Sequence, residues 1–139
     1  MAATPSVHPA VKAYAERHRI DGGAVRSDGR LTLNVDGRYR VHLRTLVDNR
    51  IAVTARLLDL SGRSNTDDLL GRLGSIGAGM LRGHASTLCL DERDQALLLQ
   101  EVLVPATDAA QLESAIAGFL NALGFWSRIC ASESSLPAH

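Results

Sequence analysis

Three stretches in the first half of the chain alternate apolar and polar residues with a period of two. They cover residues 31–35, 38–44 and 51–57. This period is typical of strands that bury one face and expose the other. Asp36-Gly37 lies between the first two as a favoured two-residue hairpin turn, and Asp48-Asn49 marks the next turn. The pattern therefore predicts an antiparallel meander of three strands with one apolar face.

Three other segments repeat apolar residues at spacings of three and four, which is the period of an amphipathic helix. The first runs from Pro9 to about His18, the second from Thr66 to Gly83, and the third opens at Thr107-Asp108. Thr66 and the acidic residues after it are typical of a helix start. Each helix has an apolar stripe that must be buried, so we expect the helices to cover the apolar face of the sheet.

Two more strands are predicted late in the chain, at Ala85–Leu90 and Ala96–Leu103, joined by the charged turn 91–94. The start of the later strand, residues 96–99, is apolar on both faces, which places it inside the sheet or inside an interface. Pro105 ends it. The predicted order is α-β-β-β-α-β-β-α, and the fold class is α+β: one twisted antiparallel sheet packed with helices.

Composition limits the chain to one domain. The 139 residues, of which 45% are hydrophobic and 22% charged, suit a single folded core. We expect an ordered core over about residues 5–131 and a polar tail over 132–139. The first residues lack the features of a signal peptide, and no apolar run is long enough to span a bilayer. We therefore expect a cytoplasmic protein without membrane insertion.

Residues that could support catalysis are scattered. The five histidines (His8, His18, His42, His84 and His139) occur singly, and Cys89 and Cys130 lack the spacing of a metal site. The glycines of the second helix match no phosphate-binding motif. We therefore predict no catalytic residues, no metal and no cofactor, with structural histidines and reduced, buried thiols.

One local feature is more specific, a row of cations along the second strand: Arg38, Arg40, His42 and Arg44. In a strand these four side chains share the face opposite Tyr39, Val41 and Leu43. They fit either a solvated outer face that discourages aggregation or a polar docking stripe for acidic groups. Nucleic acid is disfavoured, because no exposed aromatic residue alternates with the cations and the 15 basic residues balance 15 acidic ones.

The chain has more large aliphatic residues than one sheet with helices can easily hide, notably at 97–99 and at Met80-Leu81. Such a surplus is typical of a protein interface. The second helix also contains Gly71, Gly74, Gly77 and Gly79, each of which costs up to about 1 kcal/mol relative to alanine. Close approach of another backbone, such as a symmetry mate, would explain these glycines.

Several local strings resemble one family. The most specific is Leu88-Cys-Leu-Asp-Glu, followed by Ala96-Leu-Leu-Leu and Val102-Leu-Val-Pro, two late strands that end in an apolar-proline step before the last helix. Leu69-Leu-x-x-Leu73 with its glycines resembles a middle helix, and Phe119–Trp126 a closing helix. From about Val11 to Ile129 the chain resembles the class I (CesT-like) type III secretion chaperones.

The resemblance implies a homodimer, formed largely by the middle helix and the late strands, in the bacterial cytoplasm. It implies binding of the N-terminal segment of one or more effectors, which stay soluble, unfolded and secretion-competent. Effector contact is assigned to Val11, Tyr14, Leu33, Tyr39, Val41 and Val53. Dimer contact is assigned to Ile76, Met80, Leu88, Leu90 and Leu98.

Two other functions stay open from the sequence. The first is a regulatory or structural interaction module of the same fold without a secretion role. The second is a small ligand-binding domain or enzyme, which a pocket joining His42 or His84 to carboxylates would favour.

Overall fold

The eight predicted elements occur in the predicted order in the computed structural model, which describes residues 7–18, 30–35, 37, 39–62, 66–80 and 86–134. The fold is α+β, as predicted. The helices are α1 (Pro9–Arg17), α2 (Thr66–Met80) and α3 (Ala109–Ser134), and the strands are β1 (Arg30–Val35), β2 (Tyr39–Thr45), β3 (Ile51–Asp59), β4 (Thr87–Asp91) and β5 (Ala96–Leu103).

The five strands form one sheet in the order β1-β2-β3-β5-β4, and every neighbouring pair is antiparallel. β5 therefore lies between β3 and β4, in the interior position that its two apolar faces predicted. Leu97 and Leu99 are buried on one face of β5, and Leu98 is half-buried on the other. β1 and β4 are the terminal strands of this sheet.

The first hairpin turn differs from the prediction. Val35 pairs with Tyr39, so three residues separate β1 from β2 where a two-residue turn was expected. Gly37, at the centre of the loop, has φ +63°, and three-residue hairpin loops need one such left-handed residue. β2 consequently begins at Tyr39, and Asp36 and Arg38 lie outside the described residues.

The core lies between the sheet and the helices on one of its faces. Leu120 is half-buried, whereas the other five residues of the predicted α3 stripe are each at most 3% exposed: Leu112, Ile116, Phe119, Leu123 and Trp126. These side chains pack with Leu31, Leu43 and Val53 of the sheet in one cluster. Each such large side chain stabilises the fold by roughly 1.5–3 kcal/mol through removal of its surface from water.

His8 connects the start of α1 by hydrogen bonds to two parts of the fold that are distant in sequence. Its backbone N–H donates to Thr45 Oγ1 at 3.0 Å, at the end of β2. Its ring Nδ1 accepts from the N–H of Ala10 at 3.0 Å and so caps the helix. Because Nδ1 accepts, Nε2 carries the proton and donates to the carbonyl oxygen of Pro105 at 2.7 Å. His8 is thus a buried structural histidine.

The last helix extends beyond its predicted limit. α3 continues to Ser134, three residues past the expected end of the ordered core at 131. Arg72 of α2 donates from Nε to Glu133 Oε2 at 2.8 Å, and this ion pair holds the final turn of α3 against α2. The predicted end of α2 at Gly83, the predicted start of β4 at Ala85 and residues 135–139 lie outside the described residues.

Candidate polypeptide-binding surfaces

Tyr14, assigned to effector contact, lies half-buried at the junction of α1 and α3. Its ring centroid is 4.2 Å from that of His18. Glu113 of α3 accepts from Arg17 Nη1 at 2.9 Å and contacts His18 Nε2 at 2.6 Å. Burial, with a smaller contribution from the charge of Glu113, raises the pKa of Tyr14. The phenol therefore stays a neutral hydrogen-bond donor at physiological pH, beside a mixed ionic surface.

Four other residues assigned to effector contact lie in the interior. Val11, Val41 and Val53 have no exposed surface, and Leu33 is 6% exposed. They form the packing between α1, α3 and the sheet. Direct contact between these four side chains and a partner would require α1 or α3 to move away from the sheet.

Tyr39 is the sixth residue of that assignment, at the start of β2. Its side chain is half-buried and leans toward α3, where a methyl group built on Gly124 would lie 3.7 Å from Tyr39 Oη. Tyr14 and Tyr39 are therefore the two residues of the assigned set that reach the surface. Each lies where α3 meets another element of the fold.

The residues assigned to dimer contact do not share one face. Leu88 and Leu90 lie opposite Leu99 and Leu97, on the face of the sheet that packs the core. Leu98 lies opposite Cys89 on the other face. Ile76 is half-buried on α2, and only the backbone of Met80 is described. An interface that used all of them would have to wrap around the β4 side of the sheet.

Exposed apolar surface is present at that side and at one end of β5. Leu90 is 48% exposed, Val102 40% and Val104 64%. On α2, methyl groups built at Gly71 and Gly74 would meet no atom of the described chain within 4 Å. Packing within the described chain therefore does not require these glycines. Glycine is less favourable than alanine inside a helix, and close approach of a second chain remains the explanation that we propose for these two glycines.

The arginine row shows the predicted alternation where it is described. Arg40 and Arg44 are exposed, His42 is half-buried, and Val41 and Leu43 are buried on the other face. Thr32 Oγ1 lies 2.9 Å from His42 Nδ1 across the β1–β2 pair. The fourth member of the row, Arg38, lies outside the described residues.

The rest of this face was not predicted from the sequence. His42 shares a trough of about 320 Å³ with the carboxylates of Asp91 and Asp94, and this trough is also lined by Arg44 of β2, Thr54 and Arg56 of β3 and Gln100 of β5. The alternation along β3 and β5 placed these residues on some outer face. Only the pairing of β3 with β5, which joins residues about 45 positions apart, brings them beside β2.

Glu101 is another residue that sequence reasoning missed. It pairs with Val53, so its carboxylate lies on the apolar face of the sheet. Among the described residues no cation forms an ion pair with it. Burial raises its pKa. The chain thus keeps an acidic group in a place that disfavours its charge.

Replacement of Glu101 by glutamine is expected to stabilise the protein at neutral pH by a fraction of a kcal/mol, since the side chain keeps partial contact with solvent. With a raised folded-state pKa, the wild type loses stability as pH rises through that pKa, and the loss is absent below the usual range of glutamate. The gain should therefore vanish in acid. Urea unfolding at both pH values measures it, with Glu92→Gln in the exposed β4–β5 turn as control. A variant no more stable than wild type at neutral pH would contradict this.

Both cysteines are free thiols. Cys130 is buried, as predicted, and burial raises its pKa to about 11. Cys89 is only half-buried, and its Sγ donates to Gln100 Oε1 at 2.9 Å. Over the described ranges no group of three or more histidine, cysteine and acidic residues could hold a metal ion, and no helix is long and apolar enough to cross a membrane.

Several solved structures have a similar architecture. A chain of the ExsC–ExsE complex superposes with a TM-score of 0.71 at 19% identity, covering 94% of this chain and 97% of that one. The HopA1–SchA chaperone–effector complex gives a TM-score of 0.63 at 15% identity, with 84% and 88% covered.

A third similar structure is the Yersinia pestis type III secretion chaperone SycH, in complex with a stable fragment of YscM2. It gives a TM-score of 0.59 at 18% identity and covers 88% of this chain and 100% of that one. No curated protein sequence matches significantly. The model of the Tir chaperone protein (CesT) family matches residues 14–127. Since this match includes most of both the sheet and the helices, the chain belongs to the Tir chaperone protein (CesT) family.

Proposed function

We propose that this protein is a cytoplasmic type III secretion chaperone of bacteria. It binds the N-terminal segment of one or more effectors and keeps that segment soluble, unfolded and ready for secretion. The match of the CesT family over residues 14–127 carries the proposal. A similar structure, that of HopA1 with SchA, is a chaperone–effector complex. The function is binding without catalysis, and it needs no cofactor.

The sheet suits an extended client. A terminal strand has one side without a strand partner, and a client segment can pair there through main-chain hydrogen bonds. β1 and β4 are the terminal strands of the described sheet. Tyr39, at the β1–β2 hairpin, is half-buried and offers an aromatic surface to a client that pairs with β1. The β1 side is therefore the proposed client edge.

The opposite side of the sheet is the proposed dimer interface. Leu88 and Leu90 of β4 and Ile76 of α2 leave apolar surface uncovered there. The glycine-bearing surface of α2 is open enough for a second backbone to approach. Four strand spacings, or about 19 Å, separate β1 from β4. One subunit can therefore bind the second subunit and its client at the same time.

Recovery of bound partners from the native host tests the proposal. The tagged chain is expected to capture one abundant polypeptide through its first hundred or so residues, as mass spectrometry of the eluate would show. That polypeptide should be insoluble when expressed alone and soluble when co-expressed with this chain. The matched control is the same polypeptide without its N-terminal segment, which should not be captured. Recovery of only metabolites or nucleic acid would reject the proposal.

A further inference from the structure

A polar row crosses all five strands on the outer face of the sheet, the face turned away from the buried core. Its members are in direct register from β1 to β4: Thr32, His42, Thr54, Gln100 and Thr87. Such a row spans about 19 Å, roughly the length of six extended residues. It presents hydroxyl, imidazole and amide groups, which can donate and accept hydrogen bonds. Main-chain groups of a bound segment would find partners along it.

Arginines border the polar row on both sides. Arg44 lies two residues from His42 toward the β2–β3 turn, and Arg40 and Arg56 lie on the other side of the row. All three are exposed. No carboxylate of the described residues lies within ion-pair distance of any of them. The face is therefore locally cationic, although the whole chain has a net charge of zero.

One pair on this face works against stability. Arg30 of β1 lies directly opposite Arg44 of β2. Like charges placed opposite each other across two strands destabilise a sheet. An anion bound between the two would be attracted by both charges.

A cleft opens beside the polar row where β2 and β3 separate. The ladder between these strands runs from Thr45–Ile51 to His42–Thr54. Beyond it lies a cleft of about 440 Å³ lined by Tyr39, Arg40, His42 and Arg56, with the nearly buried Ala55 and Leu123 at its base. This volume is large enough for one side chain, and the arginines can pair with acidic neighbours of that side chain.

We propose that the outer face of the sheet binds an extended acidic polypeptide segment. Its carboxylates pair with Arg40, Arg44 and Arg56, its main chain lies along the polar row, and one side chain enters the cleft. The carboxylates of Asp91 and Asp94 line the other end of the trough, so the acidic residues lie over β2 and β3. The segment belongs to the bound effector, and this assignment alone rests on the proposed function.

The observations favour an acidic segment over two other occupants. A second copy docked face to face could match its Asp91 and Asp94 with only two of the arginines on the facing copy, and the remaining cations would be buried without partners. Nucleic acid would need several aromatic surfaces for base stacking, and the polar row offers one ring, the half-buried imidazole of His42.

Binding of a synthetic peptide to the purified full chain tests the inference. The probe is a fluorescein-labelled peptide in which Glu alternates with Ser around one central Leu, followed by fluorescence anisotropy. Its counterpart with Gln in place of Glu is the uncharged control. We expect the acidic peptide to bind more tightly, with an affinity that falls as salt is added. Arg44→Gln and Arg56→Gln should each weaken binding roughly two- to fivefold.

Arg128→Gln is the matched control variant, because Arg128 is also exposed but lies on α3. It should bind the acidic peptide like wild type. The urea midpoint of Arg44→Gln should be no lower than that of the wild type, since the Arg44 side chain is exposed. This second readout separates weaker binding from a damaged fold.

Several results would overturn the inference. They are equal binding of both peptides, equal weakening by Arg128→Gln, tighter binding of a single-stranded oligonucleotide of the same charge, and a change of oligomeric mass in Arg44→Gln. The peptide assay contains no effector, so its failure would leave effector capture by the native chain intact. Failed capture with intact peptide binding would instead reject the proposed function and leave the cationic face established.

Discussion

Replacement of Leu90 by aspartate is expected to convert the proposed homodimer into a monomer. Leu90 is 48% exposed on β4, and it faces the same side as Leu88 and the proposed interface on α2. In a dimer that buries this surface, a carboxylate would lose its hydration without gaining a partner. We expect the dimer dissociation constant to rise at least about 100-fold, which corresponds to about 3 kcal/mol. Size-exclusion chromatography with light scattering measures the mass.

The control for this experiment is Val47→Asp, the same kind of change at a fully exposed residue in the β2–β3 turn. It should leave the mass at that of the dimer. Circular dichroism must show that both variants keep the fold, since the leucine contributes little to the core. If Leu90→Asp remains a dimer of wild-type affinity, the interface lies elsewhere on the molecule.

Replacement of Phe119 by alanine is expected to lower the free energy of unfolding by about 3–5 kcal/mol. Phe119 has no exposed surface and lies in the middle of α3 against the sheet. The loss combines the transfer of the ring with the cavity that remains, because close-packed neighbours relax only in part. This is a large fraction of the 5–15 kcal/mol that typically separates folded from unfolded states.

Urea unfolding measures the loss through fluorescence of Trp126, the only tryptophan of the sequence, which is buried in the same cluster. Protein concentration must be equal for all variants, since the proposed dimerisation would contribute to apparent stability. The control is Leu120→Ala at the next position of α3, where the side chain is half-buried and the loss should be clearly smaller. Equal losses at both positions would show that α3 does not pack as described.

Local patterns were sufficient for the elements and for the direction of their side chains. Alternation from Tyr39 to Arg44 predicted which residues of β2 are buried, and the structure shows that alternation. The α3 stripe from Leu112 to Trp126 was predicted in the same way. Both predictions succeeded because burial of one face is a property of a single strand or helix, written into its own period.

The position of the predicted effector-contact surface could not be derived from the hydrophobic period alone. The spacing predicted that Val11, Val41 and Val53 belong to apolar faces. In the fold these residues pack inside and have no exposed surface for a partner. The same spacing does not distinguish an apolar residue that faces the core from one that faces another chain. That distinction depends on which surfaces the helices cover.

What the amino-acid order determined was therefore the α-β-β-β-α-β-β-α succession and the two faces of each strand. Only the tertiary structure decided that β5 inserts between β3 and β4, which brings Gln100 beside Thr54 and completes the polar row. The physical reason is that α2 and β4 separate β3 from β5 in the sequence. The pairing of these two strands therefore depends on how the whole sheet is buried against α3. Local periodicity carries no information on such distant partners.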